Sequence, residues 1–368
     1  MGKIKELDGL RGLLAVWVVV VHLLPSVGIA PESFGLFAPL FGSLIRVKIF
    51  CILSGFVIFL MLDRRRQGYG EFIRGRLLRI YPAYLVAFLL SLMVAPLAVE
   101  ALRQAPFEGA RLSDRLSAFE SGLDRLPAHV VAHLTLLHGL VPRQILPNAA
   151  YTFLGQGWNI STEFQFYLVA PPLFLGLATG AIWRRWTVGL ACLLAWVFLR
   201  HWPNPANLVA YAPYFGLGIA SFACWRKDWA GRGWLTPLSV TGSAIVACLL
   251  ADMAIGIWGL VLGWLLLARD RGVSRRPIAW LSSRPMLWLG QLSYSLYLLH
   301  MTPLYLGMYL LNDQNLDRWS YLGLLAAFTF TLSIPMAWIC TNWVEHPFYR
   351  KARRKPVYVA GRLQETAG

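Results

Sequence analysis

Ten apolar stretches, each near the length that crosses a bilayer, recur along the chain at about 13–30, 44–62, 80–99, 160–182, 187–202, 209–225, 235–251, 253–268, 287–311 and 319–343. A hydrocarbon core ~30 Å thick takes ~20 mostly apolar residues in a helix, because lipid offers no partner to an unpaired backbone N–H or C=O. The pattern predicts an all-α integral membrane protein of about ten transmembrane helices. Composition agrees: the chain is 57% hydrophobic and 14% charged, with a mean hydropathy of +0.54. A soluble domain carries about a quarter charged residues. Sixteen Trp and fourteen Tyr suit two interfacial belts.

The formal charge of +16 invites a nucleic-acid reading, but its distribution argues against one. The basic residues fall in short clusters between apolar runs: Lys3 to Arg11, Arg64 to Arg79, Arg184 and Arg185, Arg226 to Arg232, Arg269 to Arg284, and Arg350 onward. That arrangement places both termini on the cytoplasmic side of a cell membrane. It divides the chain into a membrane domain, 1–349, with an outer loop at 100–159, and a basic cytoplasmic tail, 350–368. Five cysteines lie in apolar runs without metal-type spacing, so neither a disulfide framework nor a zinc site is expected. The first apolar run lacks a small-residue cleavage site, so no cleavable leader is expected.

Within 100–159 a charged first half precedes HVVAHLTLLHGLVP, too short to span and expected to be interfacial or re-entrant. His129, His133 and His138 there have a spacing that suggests a metal, but no carboxylate or cysteine completes a set. A wet interface is the preferred reading.

Ionisable residues inside lipid are costly, so each one is a functional candidate. Arg11 and His22, eleven residues apart, share a helix face about 16 Å apart. Counted from Leu13, His22 lies ~14 Å deep, near the midplane. A catalytic imidazole and a hydrogen-bonded core histidine both fit that position. Arg76 and Arg79, one turn apart at a helix start, are planar forks suited to phosphate oxygens, with lipid headgroups as the other reading. Ser54-Gly55 marks close helix packing. Arg46 and Lys48 at the outer end of the same span either snorkel or form a positive rim for an anionic acceptor. Glu163, one turn below Trp158, either binds a substrate or imidazole group or pairs with Arg46 or Lys48. Ser293, Tyr297 and His300 form one stripe, read equally as packing or pocket lining. Glu345 is expected to pair with the basic inner mouth.

Taken together these segments resemble the membrane-bound acyltransferase-3 family. The match runs through LDGLRG with Arg11-x10-His22, SGF at Ser54 to Phe56, RxxRIxP at Arg76 to Pro82, and the motif from Trp158 to Leu168. It continues with LSYSLYLLH ending at His300 and VEHPF at Val344 to Phe348. Phe164 stands where many members carry a second Glu. The extra span and fused extracytoplasmic hydrolase-like domain of some longer relatives are not expected here.

The resemblance implies O-acylation of an extracytoplasmic acceptor. Acyl-CoA, with acetyl-CoA the leading candidate, is the cytosolic donor substrate, and no cofactor is bound permanently. Arg76 and Arg79 hold its phosphates, and its pantetheine arm runs between Arg11 and His22. His22 then acts as general base or acyl carrier, with Glu163 and His300 orienting the reactants. Implied partners are a glycan or lipid-linked sugar and membrane lipids. An alternative is a transmembrane acyl carrier that hands the group to a separate extracytoplasmic transferase, for which the missing fused domain speaks. A transporter with no need of the arginine mouth is a further alternative.

Overall fold

The computed structural model describes residues 4–42, 44–65, 67–179, 181–226, 242, 252–270 and 272–348. Among them every regular element is helical. The principal helices are α1 (Lys5–Leu23), α2 (Leu44–Arg64), α3 (Tyr69–Arg103), α4 (Ala110–Asp124), α5 (Leu126–Leu134), α6 (Trp158–Phe174), α7 (Ile182–Leu199), α8 (Leu208–Arg226), α9 (Met253–Asp270), α10 (Arg284–Leu299), α11 (Met301–Leu311) and α12 (Arg318–Ile339).

Six segments are long and apolar enough to cross a membrane: Lys5–Val27, Pro31–Arg64, Tyr69–Arg103, Ile182–Leu199, Leu208–Arg226 and Arg318–Phe348. The protein is an all-α membrane protein, but ten spans are not found among the described residues. Three of the expected runs account for most of the difference. The stretch 287–311 is two helices that meet at His300, because Pro303 has no N–H to offer the Leu299 carbonyl. The stretch 160–182 gives a helix of 17 residues, carrying Pro171 and Pro172, that passes into a π turn at Leu175–Thr179. The expected span 235–251 lies outside the described residues except Gly242, and so does the tail 350–368. Met253–Arg269 is a shorter apolar helix.

Helix α1 packs on α10, and α12, α11 and α3 complete that side; α2 packs on α8, beside α6, α9 and α7. Lipid tails are as apolar as leucine side chains, so these contacts depend on close van der Waals approach. Glycines supply it. A Cβ on Gly12 would stand 2.6 Å from the Gly290 nitrogen, and one on Gly290 would stand 2.3 Å from the Asp8 carbonyl oxygen. The second pair repeats the device: a Cβ on Gly55 would lie 2.3 Å from the Phe215 carbonyl oxygen, and one on Gly218 2.1 Å from that of Ile52. Gly55 is therefore a packing site.

Helix α1 ends one residue after His22, earlier than the run to residue 30 suggests. Pro25 withholds an N–H from the Val21 carbonyl, and the chain tightens into a 3-10 turn that Gly28 closes at φ 68. His22 consequently occupies the last helical turn, where side chains of other segments reach it.

The outer segment corrects a second expectation. His129, His133 and His138 are not at a wet interface; each has 0% exposure. The rings of His138 and His133 stack at 4.3 Å and 3°, and Phe88 continues the column at 5.1 Å and 5° from His133. His133 Nδ1 donates to the His129 carbonyl at 2.9 Å. Parallel rings do not converge their lone pairs on one point, and no metal-binding group of His, Cys, Asp or Glu occurs among the described residues. The histidines act as polar-edged aromatics that dock α5 on α3.

Two predictions follow from this packing. Gly290→Val forces α1 and α10 apart and lowers thermal stability by about 1–3 kcal/mol, the usual cost of overpacking. Gly323→Ala, where a Cβ meets nothing within 4 Å, leaves stability intact. Burial pulls His133 down to about 4 and lowers His138 as well. A depressed folded-state value means that the unfolded chain binds more protons, so stability is complete above about pH 6.5 and is lost as pH falls towards 4. For His133 the loss is at most about 3 kcal/mol. Thermal unfolding across that range should be flatter for His133→Gln than for the wild type.

Candidate active site

A cleft of about 790 Å³, counting its open mouth, runs between the two helix groups. Seven of the residues singled out in the sequence line it: Arg11, Ser54, Arg76, Arg79, Glu163, Ser293 and Tyr297. Each arrives from a different local logic. Arg76 and Arg79 extend from the first turns of α3, where the run of arginines meets the apolar stretch. Glu163 projects from α6, one turn before Tyr167.

The polar groups differ in how they are satisfied. Glu163 Oε1 accepts from Ser54 Oγ at 3.1 Å and from the Tyr167 hydroxyl. It pairs with neither Arg46 nor Lys48, so the expected structural ion pair is replaced by two neutral donors. Arg79 pairs with Glu345, whose other oxygen accepts from Ser295 Oγ at 3.2 Å. Arg76 lies over the rings of Phe72 and Tyr167 at 5.9 and 5.8 Å, with Met61 Sδ at 3.3 Å from Nη2. No carboxylate pairs with Arg76 among the described residues, so its fork faces the cleft available to an anion.

Phe50 and Tyr297, which also line the cleft, face each other with ring centroids 6.2 Å apart. The Tyr297 hydroxyl donates to the Gln156 carbonyl at 2.5 Å. One turn further along α10 is His300, buried at 0% exposure, with Nε2 2.8 Å from Nδ1 of His22. The rings lie 5.0 Å apart and 13° from parallel. Partners fix the tautomers. His300 Nδ1 is 3.2 Å from the Leu296 carbonyl, which only accepts, so Nδ1 carries the proton and Nε2 is the acceptor. His22 Nδ1 therefore donates to His300, and the lone pair of a neutral His22 is on Nε2. No hydrogen bond occupies that atom among the described residues.

Four sequence candidates do not line the cleft: His22 and His300, which pair beyond it, and Arg46 and Lys48. Arg46 turns its guanidinium to the Leu40 and Gly42 carbonyls, at 3.0 and 2.6 Å, and stacks on Trp17. Lys48 pairs with Asp252 at 2.6 Å, and the Tyr214 hydroxyl also donates to Asp252. Both lie in the first turns of α2, which presents Lys48 to a separate pocket and Arg46 to the preceding loop. Asp252, Arg111 and Arg115 were not anticipated as site residues. The four-residue interval of Arg111 and Arg115 was the available signal, and it was hidden in a stretch read as an exposed loop.

A family model described as an acyltransferase domain matches residues 4–338. The chain belongs to the acyltransferase-3 family. It is similar to Acyltransferase MdmB of Streptomyces mycarofaciens, 26% identical over 97% of this chain and 95% of that protein. It is also similar to the exopolysaccharide production protein ExoZ of Rhizobium meliloti strain 1021, 28% identical over 69% of this chain and 74% of that protein. No solved structure matches it.

The Arg79–Glu345 pair separates structural from exposed charge. Glu345 is 2% exposed, so Glu345→Gln takes the carboxylate away from Arg79 and costs about 1–3 kcal/mol after allowance for the part-exposed arginine. Glu120→Gln, which breaks the exposed pair with Arg103, costs about 0–1 kcal/mol. Parallel thermal unfolding of the two variants measures the contrast.

Proposed function

We propose that this acyltransferase moves an acetyl or other short acyl group from cytosolic acyl-CoA to a hydroxyl of a glycan or lipid-linked sugar outside the membrane. The single observation that carries the reading is the His22–His300 pair standing beyond a cleft whose other end is lined by Arg11, Arg76 and Arg79. Similarity to an acyltransferase and to an exopolysaccharide production protein supports the class of reaction and acceptor. The chain is taken to lie in the bacterial inner membrane with both termini in the cytosol, because its basic clusters recur on one side.

In this scheme Arg76 engages donor phosphate oxygens, and Arg79, already held by Glu345, shapes the same mouth. The pantetheine arm follows the cleft past Ser54 and Glu163. Phe50 and Tyr297 swing aside to bring the thioester to His22. His22 Nε2 takes the proton of the acceptor hydroxyl as its oxygen attacks the thioester carbon. His300 accepts from Nδ1 and so fixes the ring and shares the positive charge that develops. Collapse of the tetrahedral intermediate breaks the C–S bond, and the proton on Nε2 passes to the departing thiolate. The products are an ester and CoA thiol. A charge-neutral relay of this kind suits a half-buried site, because no ion is left behind in a poorly solvating environment.

The test uses purified protein in vesicles with radiolabelled acetyl-CoA and a supplied glycan. A folded His22→Gln variant should lose about 10²–10⁴ in rate, the usual contribution of general-base catalysis. Arg76→Gln should raise the KM for acyl-CoA about tenfold or more while kcat changes little, as loss of one charged hydrogen bond predicts. Wild-type turnover by His22→Gln would end this reading. Label that crosses the membrane but reaches glycan only when a second protein is added would favour an acyl carrier.

A further inference from the structure

The outer approach to the histidine pair is built from arginines that no carboxylate pairs with among the described residues. Arg115 of α4 donates from Nη2 to the His22 carbonyl at 3.1 Å, and its Nη1 is buried with no partner. Arg111, one turn earlier on the same helix, lines an outer pocket of about 910 Å³ together with Lys48 and Asp252. Arg46, 2% exposed, bonds only to backbone carbonyls, and its Nε is also buried without a partner. All three guanidinium groups are close enough to act electrostatically on the His22 ring.

Their surroundings offer no compensation. Asp252, the carboxylate nearest in the pocket, is already shared by Lys48 and Tyr214. Glu32 lines the same pocket but is exposed. None of the three arginines forms an ion pair among the described residues. The hydroxyl of Tyr305 is a neutral neighbour of Arg115. Buried cationic groups without counter-charges are expensive; Arg46 and the Nη1 end of Arg115 are in that state, with the part-exposed Arg111 beside them, and keeping them near a reacting centre makes sense where a ligand brings the missing negative charge. The inner arginines face the donor cleft, so this is a second anion-seeking region at the opposite end of the site.

We propose that the acceptor carries an oxyanion, a carboxylate or a phosphoryl group close to the hydroxyl that is acylated, and that Arg111 and Arg115 hold it while the hydroxyl meets His22. Arg46 contributes field and not contact, because its hydrogen-bonding face is turned to Leu40 and Gly42. The proposal rests on the reading of the histidine pair as the place of transfer. It adds that a neutral acceptor is a poor one.

Binding of sugars to the full-length protein without acyl-CoA tests this separately from transfer. Glucose, glucuronate and glucose 1-phosphate are titrated into purified protein, and the concentration that gives half-maximal thermal stabilisation is read. At least one anionic sugar should bind about tenfold or more tightly than glucose, as expected from one charge-assisted arginine bond. Which one does so separates carboxylate from phosphoryl recognition. Arg111→Gln should remove the preference, and Arg76→Gln, at the inner mouth, should keep it. Arg115→Gln serves as a second variant where circular dichroism shows the fold retained. Equal binding of all three sugars overturns the proposal, and so does a preference lost in Arg76→Gln but kept in Arg111→Gln. Loss of acyl-CoA-dependent turnover with the anion preference intact would sink the donor assignment and leave this site standing.

Discussion

The contact on which the rest of the structure depends is the close crossing of α1 and α10 over Gly12 and Gly290, continued by Gly9 against the turn Trp280–Ser282 just before α10. Burial of apolar surface adds little between helices that sit in lipid, so the crossing is held by backbone approach that only glycine permits. A Cβ at Gly9 would stand 1.7 Å from the Leu281 carbonyl oxygen. With the two helix axes drawn together at that end, the far ends also stay close, and His22 and His300 meet at hydrogen-bond distance. Both histidines also lie at helix ends made by proline: α1 stops before Pro25, and α10 gives way to α11 before Pro303. The breaks let an imidazole face a neighbouring helix end instead of a continuous wall of side chains.

Charge is handled in two distinct ways along this axis. Where a charge has a structural task it is neutralised close by: Arg79 by Glu345, Lys48 by Asp252, and Glu6 by Arg275 at 3.2 Å. Glu163 is held by two hydroxyl donors. Four arginines are treated otherwise. Arg76 near the start of α3, Arg46 near the start of α2, and Arg111 and Arg115 on α4 have rings, carbonyls or no carboxylate partner among the described residues. A cation left in that state costs desolvation energy that folding alone has no reason to bear. The division puts two cationic ends around a neutral centre, an arrangement suited to bringing two anionic molecules towards one imidazole.

The outer segment shows the same economy without charge. His133 and His138 have the residue types of a metal site, yet their rings stack face to face between Phe88 and Tyr84. Stacking buries imidazole area while a carbonyl satisfies one ring nitrogen of His133. That column, together with the Tyr81 hydroxyl donating to the Leu134 carbonyl at 3.0 Å, fastens the segment to α3. It keeps α4, and with it Arg111 and Arg115, over the end of α1.

The membrane character, the helical class and the family were all legible in the order of residues, because apolar run length and motifs such as Arg11-x10-His22 are local properties. So was the cleft's membership in large part: Arg11, Ser54, Arg76, Arg79, Glu163 and Tyr297 all face one space. Tertiary structure alone decided the rest. Helix-period reasoning gave no way to learn that His22 Nδ1 meets His300, since residues 278 apart are related only by the glycine crossing. It gave no sign of the Lys48–Asp252 pair because the two lie 204 residues apart, and it misjudged the three histidines at 129, 133 and 138 because burial is set by what packs over a segment. Local spacing fixes which face of a helix a side chain takes; only the packing of distant helices fixes what that face meets, and chemistry depends on the second.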